Sequence, residues 1–444
     1  MKIIRITKPE PSLRGVIQLP SSKSLSNRLL IMQALSGGSF GIDNLSVAED
    51  TLLLGKILNL IESSSEQHFP IELDCGNAGT DLRFLTAFLA MKPGRWMLTG
   101  TDRMKQRPIG ELVDKLLQLG ASIEYLGNMG FPPLLIKGRE LKSECLEINA
   151  GVSSQFISAL LIIGPYLPQG LTLDLKGDVV SEPYIDMTVK LMRHCGIKLR
   201  QWKHKIKVEP GSYSCKQYIV ESDWSAASFW YQAAALSGNV EMSFPGLHRK
   251  SLQGDSMLAS AFTAFGVQSD FTIYSHPLLI SFACSLRLRR TPSHHTTNSK
   301  TSVQYKKLPL ISESFNYDFT HHPDLALPMI ATCAAMGISG RFEGLKSLAV
   351  KESDRLRSLT TELKKLGCNL NYTIGEFPVL NINPSKLIAR PDVIIDTYRD
   401  HRMAMTFAML ALKTGSIRIA DPDVVAKSYP GFWDDLEKVG FYIK

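Results

Sequence analysis

Cations and carboxylates recur in this 444-residue chain at the polar starts of apolar segments. The first such start is Leu19-Pro20-Ser21-Ser22-Lys23-Ser24-Leu25-Ser26-Asn27-Arg28, which runs into Leu29 to Leu35 and stops at Gly37-Gly38. A turn feeding a helix N-terminus offers serines to cap orphan N–H groups, the positive end of a helix dipole, and here two full charges, Lys23 and Arg28. Together these attract an anion. Ser24 and Arg28 are four residues apart and share a face. In isolation an ordinary capped helix with two solvated cations would look the same, but the chain repeats the arrangement.

Asn77, Gly79 and Arg83 precede Phe84 to Met91; Ser153, Ser154 and Gln155 precede Phe156 to Ile163; Asp223-Trp224-Ser225 precedes Ala226 to Leu236. Asp324 precedes Leu325 to Met336, and Asp400, His401 and Arg402 precede Met403 to Leu412. Further polar clusters fall later in the units, at Lys105-Gln106-Arg107-Pro108, Ser181-Glu182-Pro183-Tyr184, Lys351-Glu352-Ser353-Asp354-Arg355 and Lys427-Ser428-Tyr429. So many cations beside a few acids suit one or two substrates bearing phosphate and carboxylate, with the acids moving protons. Lys351, Glu352 and Arg355 lie at i, i+1 and i+4, so Lys351 and Arg355 are expected to share a helical face with the carboxylate beside them. No phosphate-binding loop, dinucleotide fingerprint or nucleophile elbow is present. The adjacent pairs His294-His295 and His321-His322 have poor geometry for a shared metal.

The repeats predict six copies of one α/β unit: a polar start, an apolar helix, a short strand, a charged loop, an amphipathic helix and a glycine. Those glycines, Gly120, Gly196, Gly266, Gly367 and Gly440, suit left-handed helix stops. The first helix of each unit is apolar nearly all round and is expected to be buried. Six units make two lobes of three, dividing near Glu221, and the repeat leaves open which lobe the strand Met1 to Ile6 joins. The fourth step is long by about 25 residues, which reads as a surface insertion at Ser281 to Tyr305.

Composition narrows the class. With 44% hydrophobic residues the chain builds large cores. Seven scattered cysteines without a C-x-x-C pair fit a reducing compartment, and no targeting or membrane segment is visible, so a cytoplasmic protein is expected. The net charge of +8 falls to +2 once the six cations of Leu286 to Lys307 are set aside. The basicity therefore belongs mostly to one segment.

Seven ordered motifs carry a resemblance over essentially the whole chain outside the insertion. They are residues 19–28, Gly76-Asn77-Ala78-Gly79-Thr80 with Arg83, Arg107-Pro108-Ile109-Gly110, Val152-Ser153-Ser154-Gln155-Phe156, Pro183-Tyr184-Ile185-Asp186, Val350 to Leu356, and Asp400-His401-Arg402-Met403-Ala404-Met405. Together they resemble the 3-phosphoshikimate 1-carboxyvinyltransferases, or EPSP synthases, of the enolpyruvyl transferase superfamily.

The resemblance implies a two-lobed α/β fold, each lobe three βαββαβ units around buried parallel helices, an inside-out α/β barrel. It places residues 21–221 in the N-terminal lobe, residues 1–20 with 222–444 in the C-terminal lobe, and the site between them. It implies enolpyruvyl transfer from phosphoenolpyruvate to the 5-hydroxyl of shikimate 3-phosphate, with no cofactor and no metal. The partners are then small molecules, without nucleic acid or membrane, and the chain a monomer.

Residue by residue, the resemblance assigns shikimate 3-phosphate to Lys23, Ser24, Arg28, Ser153, Ser154, Gln155, Ser181, Tyr184, Asp324 and Lys351. It assigns phosphoenolpyruvate to Lys23, Asn77, Gly79, Arg107, Gln155, Arg355, His401, Arg402 and Lys427. Asp324 matches the acid that takes the 5-hydroxyl proton, Glu352 the one that protonates the methylene, Lys351 stands between them, and Lys23 completes the catalytic set.

Four residues depart from the family pattern: Ser21 for Gly, Phe84 for Pro, Ser347 for Asn and Arg399 for Asn. Two other readings stay in view. UDP-N-acetylglucosamine enolpyruvyl transferases usually carry a reactive Cys where this chain has Asp102. A nucleic-acid-binding homologue would use the basic insertion.

Overall fold

A computed structural model describes residues 2–64, 69–274, 300–307 and 313–444, apart from 369, 374, 376, 384–386 and 391. Six helices follow the six polar starts: Lys23–Leu35, Gly79–Met91, Ser154–Ile163, Trp224–Leu236, Ala326–Met336 and His401–Ala408. Having little polar surface, they have no face to give to water and are buried along most of their length. The first three touch one another pairwise, and so do the last three.

Buried apolar side chains form two clusters. One runs from Leu25 to Val220; the other joins Ile4 to Leu19 with Trp224 to Phe441. Between them the chain crosses twice, and the crossings are tied together. Ser21 bridges Ser222, the Ser22 N–H donates to the Glu221 carbonyl at 2.9 Å, and the Asp223 N–H to the Pro20 carbonyl at 2.8 Å.

Five four-stranded sheets share one topology, in which a parallel pair is extended by two antiparallel strands. Ile71–Asp74 beside Gly94–Thr99, then Leu134–Gly138 and Ser122–Tyr125, is the pattern. Two of the sheets complete themselves with distant chain. Ser12–Val16 lies parallel to Asn239–Pro245, and Ile3–Thr7 inserts between Ser416–Ala420 and Tyr442–Ile443. The unit at the first polar start is abbreviated, with only Gly41–Asp43 beside Gln217–Ile219. The glycine stops are as the sequence suggests: Gly120, Gly196, Gly266, Gly367 and Gly440 lie at φ between +73° and +92°.

Three expectations need correction. The segment Ser281 to Tyr305 is not simply a surface insertion. Its last residues belong to the strand Lys300–Lys307, which pairs with Val267–Tyr274 on one side and Asn239–Pro245 on the other. Residues 281–299, with His294 and His295, lie outside the described residues. Second, Lys351 and Arg355 do not share a helix. The Asp354 side chain accepts from the Arg357 N–H at 3.1 Å and caps a helix that begins at Arg355, leaving Lys351 and Glu352 in a bend. Third, the amphipathic helix after Asn239–Pro245 is broken into short 3₁₀ and α turns over Gly254–Met257, Leu258–Ala261 and Phe262–Phe265.

Candidate active site

Because equivalent helix starts of both clusters face one cleft, the polar residues converge there. A cavity of about 140 Å³ is lined by Lys23, Ser24, Arg28, Arg107, Ser153, Ser154, Gln155, Ser181 and Tyr184 from one cluster's side. Asp324, Lys351, Glu352, Arg355, His401 and Arg402 line it from the other. Asn77, Gly79 and Lys427 stand at its edge. The Lys427 ammonium donates to the Asn77 carbonyl at 2.6 Å, and the Arg107 guanidinium lies over Gly79. A Cβ at residue 79 would sit 2.6 Å from both Arg107 Nη atoms, so only glycine leaves that guanidinium where it is.

Arg355, 1% exposed, organises the acids. Its Nη1 lies 2.8 Å from Asp324 Oδ1, its Nη2 2.9 Å from Glu352 Oε2, and its Nε 2.8 Å from Asp400 Oδ2. Asp400 in turn caps its helix by accepting from the Arg402 N–H at 3.0 Å. One guanidinium fork thus fixes two carboxylates that face the cavity through a third, fully buried one.

Lys351 Nζ is 3.5 Å from Asp324 Oδ1 and the Tyr184 hydroxyl donates to Asp324 Oδ2 at 2.8 Å. Arg402 approaches the same oxygen at 3.4 Å. Burial would raise the Asp324 carboxyl, but Arg402, Lys351 and Arg355 outweigh it and hold the group well below the usual carboxylate range. For Glu352 burial is likewise outweighed, by Arg355, Lys427 and Arg107. Lys351 goes the other way: burial lowers its ammonium despite the attraction of Asp324. His401 is held neutral by burial and by Lys23 and Arg402.

On the opposite wall Arg28 is 2% exposed and spends its donors on neutral groups, Thr188 Oγ1 at 2.7 Å, the Ser24 carbonyl at 2.9 Å, and Ser158 Oγ and the Tyr184 carbonyl at 3.3 Å. Among the described residues it has no carboxylate partner, and burial brings it down to about 10. Its guanidinium lies 5.4 Å from the Phe84 ring centre. Ser153 caps its helix by accepting from the Gln155 N–H at 3.3 Å, and Gln155 Nε2 donates to Thr80 Oγ1 at 3.0 Å. Ser181 sits at φ +54°, a left-handed conformation uncommon for serine, with its N–H bonded across the cleft to the Thr320 carbonyl at 2.8 Å.

Sequence reasoning missed several participants. Asp50 pairs with Lys23 at 2.8 Å and approaches Lys427 at 3.9 Å. Its one sequence signal is its place in the acidic first turn of the helix Glu49–Ser63. Asp255, 4% exposed and raised by burial to about 7, accepts from the Ser225 hydroxyl, and Ser225 lines the cavity. Arg103 reaches across the cleft to main-chain carbonyls near Glu352. Of the four departures, Ser347 lines the cavity, Phe84 packs on Arg28, Ser21 holds the crossing, and Arg399 adopts φ +56°. His322 is a neighbour of the site, buried enough to fall to about 4 and bonded to the Tyr317 hydroxyl at 3.1 Å. Among the described residues no group of His, Cys, Asp and Glu has the geometry to hold a metal ion, and no helix is long and apolar enough to cross a membrane.

Comparison with known proteins agrees at every level. The family model EPSP synthase (3-phosphoshikimate 1-carboxyvinyltransferase) matches residues 7–436. A 3-phosphoshikimate 1-carboxyvinyltransferase of Bacteroides fragilis is 44% identical over 434 residues, 97% of each chain. That of Colwellia psychrerythraea is 34% identical over 455 residues, covering 97% of this chain and 98% of its own. The crystal structure of the EPSP synthase of Acinetobacter baumannii superposes over the full length of both chains with a TM-score of 0.73 at 20% identity, a likeness of fold. With the motifs, the convergent site and these matches in agreement, the chain belongs to the EPSP synthase family.

Proposed function

We propose that this chain transfers the enolpyruvyl group of phosphoenolpyruvate to the 5-hydroxyl of shikimate 3-phosphate, releasing phosphate, as a step of aromatic amino-acid biosynthesis. The observation that carries the reading is the pair of carboxylates, Asp324 and Glu352, held by the two arms of Arg355 in a cavity walled with cations. Addition followed by elimination at one carbon needs two proton-transfer groups and positive charge for the departing phosphate.

In this reading Arg28 and Ser24 take the shikimate carboxylate, and Arg28 is a buried cation without an acid of its own. Ser153, Ser154 and Ser181 take the 3-phosphate, with Gln155 and Tyr184 beside the ring. Lys23, Arg107, Arg355, Arg402 and Lys427 hold phosphoenolpyruvate, with Asn77, Gly79 and His401 shaping that end. The 5-hydroxyl oxygen adds to C2 as its proton passes to Asp324, and Glu352 delivers a proton to C3. Glu352 then takes a proton back from the new methyl group as the C2–O bond to phosphate breaks. Lys351, with its ammonium lowered by burial, passes the proton held by Asp324 to the leaving phosphate.

Substrate charge matters to Glu352. Once phosphoenolpyruvate neutralises Arg107, Arg355 and Lys427, the pull that keeps the carboxyl ionised weakens and it gains the proton it must donate. We further assign residues 21–221 to one lobe and 1–20 with 222–444 to the other, a division supported by the two core clusters. The chain is read as a monomer, since one chain supplies both walls of the cavity, and as a cytoplasmic enzyme, in keeping with the free cysteines among the described residues.

The test is phosphate release with both substrates present. Asp324→Ala and Glu352→Ala should each lower kcat by at least ~10²-fold with folding intact. Near-normal turnover in both would refute the acid and base roles.

A further inference from the structure

Arg103 is not among the residues that touch the cavity, yet it bonds to the loop that carries three of them, Val350, Lys351 and Glu352. Its Nη2 donates to the Ala349 carbonyl at 3.2 Å and to the Lys351 carbonyl at 3.0 Å, and its Nε to the Glu352 carbonyl at 3.2 Å. One guanidinium therefore grips three main-chain oxygens within four residues. The two partners belong to opposite core clusters, so these bonds exist only while the walls of the cleft are together.

The base of the grip is stiff. Arg103 precedes Met104, which is fully buried, and the turn around it is closed by Thr101 N–H to Gly76 carbonyl at 2.9 Å and Lys105 N–H to Thr101 carbonyl at 3.0 Å. Four residues further on, Arg107 faces the cavity from the same segment. The gripped loop is secured at its ends, by buried Leu348 and by Ser353, whose hydroxyl donates to Asp400 at 3.1 Å. Its middle is not packed into a core: Val350, on the cavity wall, is 48% exposed. Core packing does not set the main chain at Lys351 and Glu352, and a planar fork of donors is suited to do so.

We infer that Arg103 is a positioning residue for enolpyruvyl transfer: by clasping the carbonyls of Ala349, Lys351 and Glu352 across the cleft, it couples closure to the placement of the Glu352 carboxylate. The inference rests on the proton-transfer role proposed above for Glu352. Because the grip is on main chain, it acts on Glu352 whatever the side chains at 349 and 350. Because it acts through Glu352, its effect disappears when Glu352 can no longer move a proton.

Arg103→Ala is expected to lower kcat on the order of 10²-fold, the loss typical of a displacement near 1 Å at a reacting group, with little change in either KM or in melting temperature. Arg103→Lys, which keeps the charge but not the fork, should fall between. In the background of Glu352→Gln, adding Arg103→Ala should cost almost nothing further. A wild-type kcat for Arg103→Ala overturns the inference. Losses that multiply in the double variant overturn it too, since Arg103 would then act elsewhere. Should Arg103→Ala fail to fold, Arg103→Lys carries the same cycle, and a wild-type kcat there is equally fatal. Glu352→Gln alone separates the two readings. If it turns over normally, the proton-transfer role fails and takes this inference with it; if it is crippled while Arg103→Ala is normal, only this inference falls.

Discussion

At the scale of single residues, buried charge in this cleft is set by neighbours more than by solvent. Asp324 and Glu352 are largely buried carboxyls that nonetheless stay ionised, because each faces several cations. Shifting that balance has a measurable consequence. In the proposed binding mode phosphoenolpyruvate occupies the cations beside Glu352, which raises the carboxyl and makes it take up a proton, so binding gains strength as pH falls through the raised value towards the lower one of the free enzyme. Titration calorimetry in buffers of different ionisation enthalpy should show more proton uptake by the wild type than by Glu352→Gln; equal uptake would contradict the account. Gly79 offers a steric test. Gly79→Ala must displace the Arg107 guanidinium, and steady-state kinetics should show KM for phosphoenolpyruvate raised about tenfold or more, with KM for shikimate 3-phosphate little changed.

At the scale of elements, six apolar helices and their polar N-termini are the recurrent device. Each helix buries its body and leaves its first turn facing the cleft, so a cap such as Ser153 or Asp400 also lies at or beside the site. The strand Lys300–Lys307 is central in its sheet, with a partner on both edges. A deletion of residues 281–305 therefore removes most of an interior strand. It should yield no folded soluble protein by near-ultraviolet circular dichroism, and a well-folded active deletion would show that the strand is dispensable.

At the scale of the whole molecule, two cores joined by two crossings close on a cavity that neither builds alone. Bonds across the cleft include Tyr184 to Asp324, Lys427 to the Asn77 carbonyl and the Ser181 N–H to Thr320. Ligands that touch both walls should add to these. Shikimate 3-phosphate with inorganic phosphate, each at 100 times its dissociation constant, should stabilise the chain by at least ~2.7 kcal/mol, seen as a melting temperature several degrees higher. Removing the Arg28 charge with Arg28→Met should abolish the part due to shikimate 3-phosphate.

What the sequence determined by itself was periodic or local. Apolar helices, glycine stops and capped starts depend on residues within a few positions of one another, and six repetitions of them made the α/β architecture legible. The same repetition singles out Lys23, Arg28, Arg107, Asp324, Glu352, Arg355 and Arg402. Only the tertiary structure decided what depends on distant chain: that Ile3–Thr7 and Ser12–Val16 complete sheets more than 200 residues away, that Asp50 neutralises Lys23, and that Arg103 holds the loop bearing Glu352. Helical spacing misplaced Lys351 relative to Arg355 because one capping side chain, Asp354, starts the helix later than charge spacing suggests. Pairings of this kind have no signature in sequence order, since their energy comes from burial and charge brought together by the closed cleft.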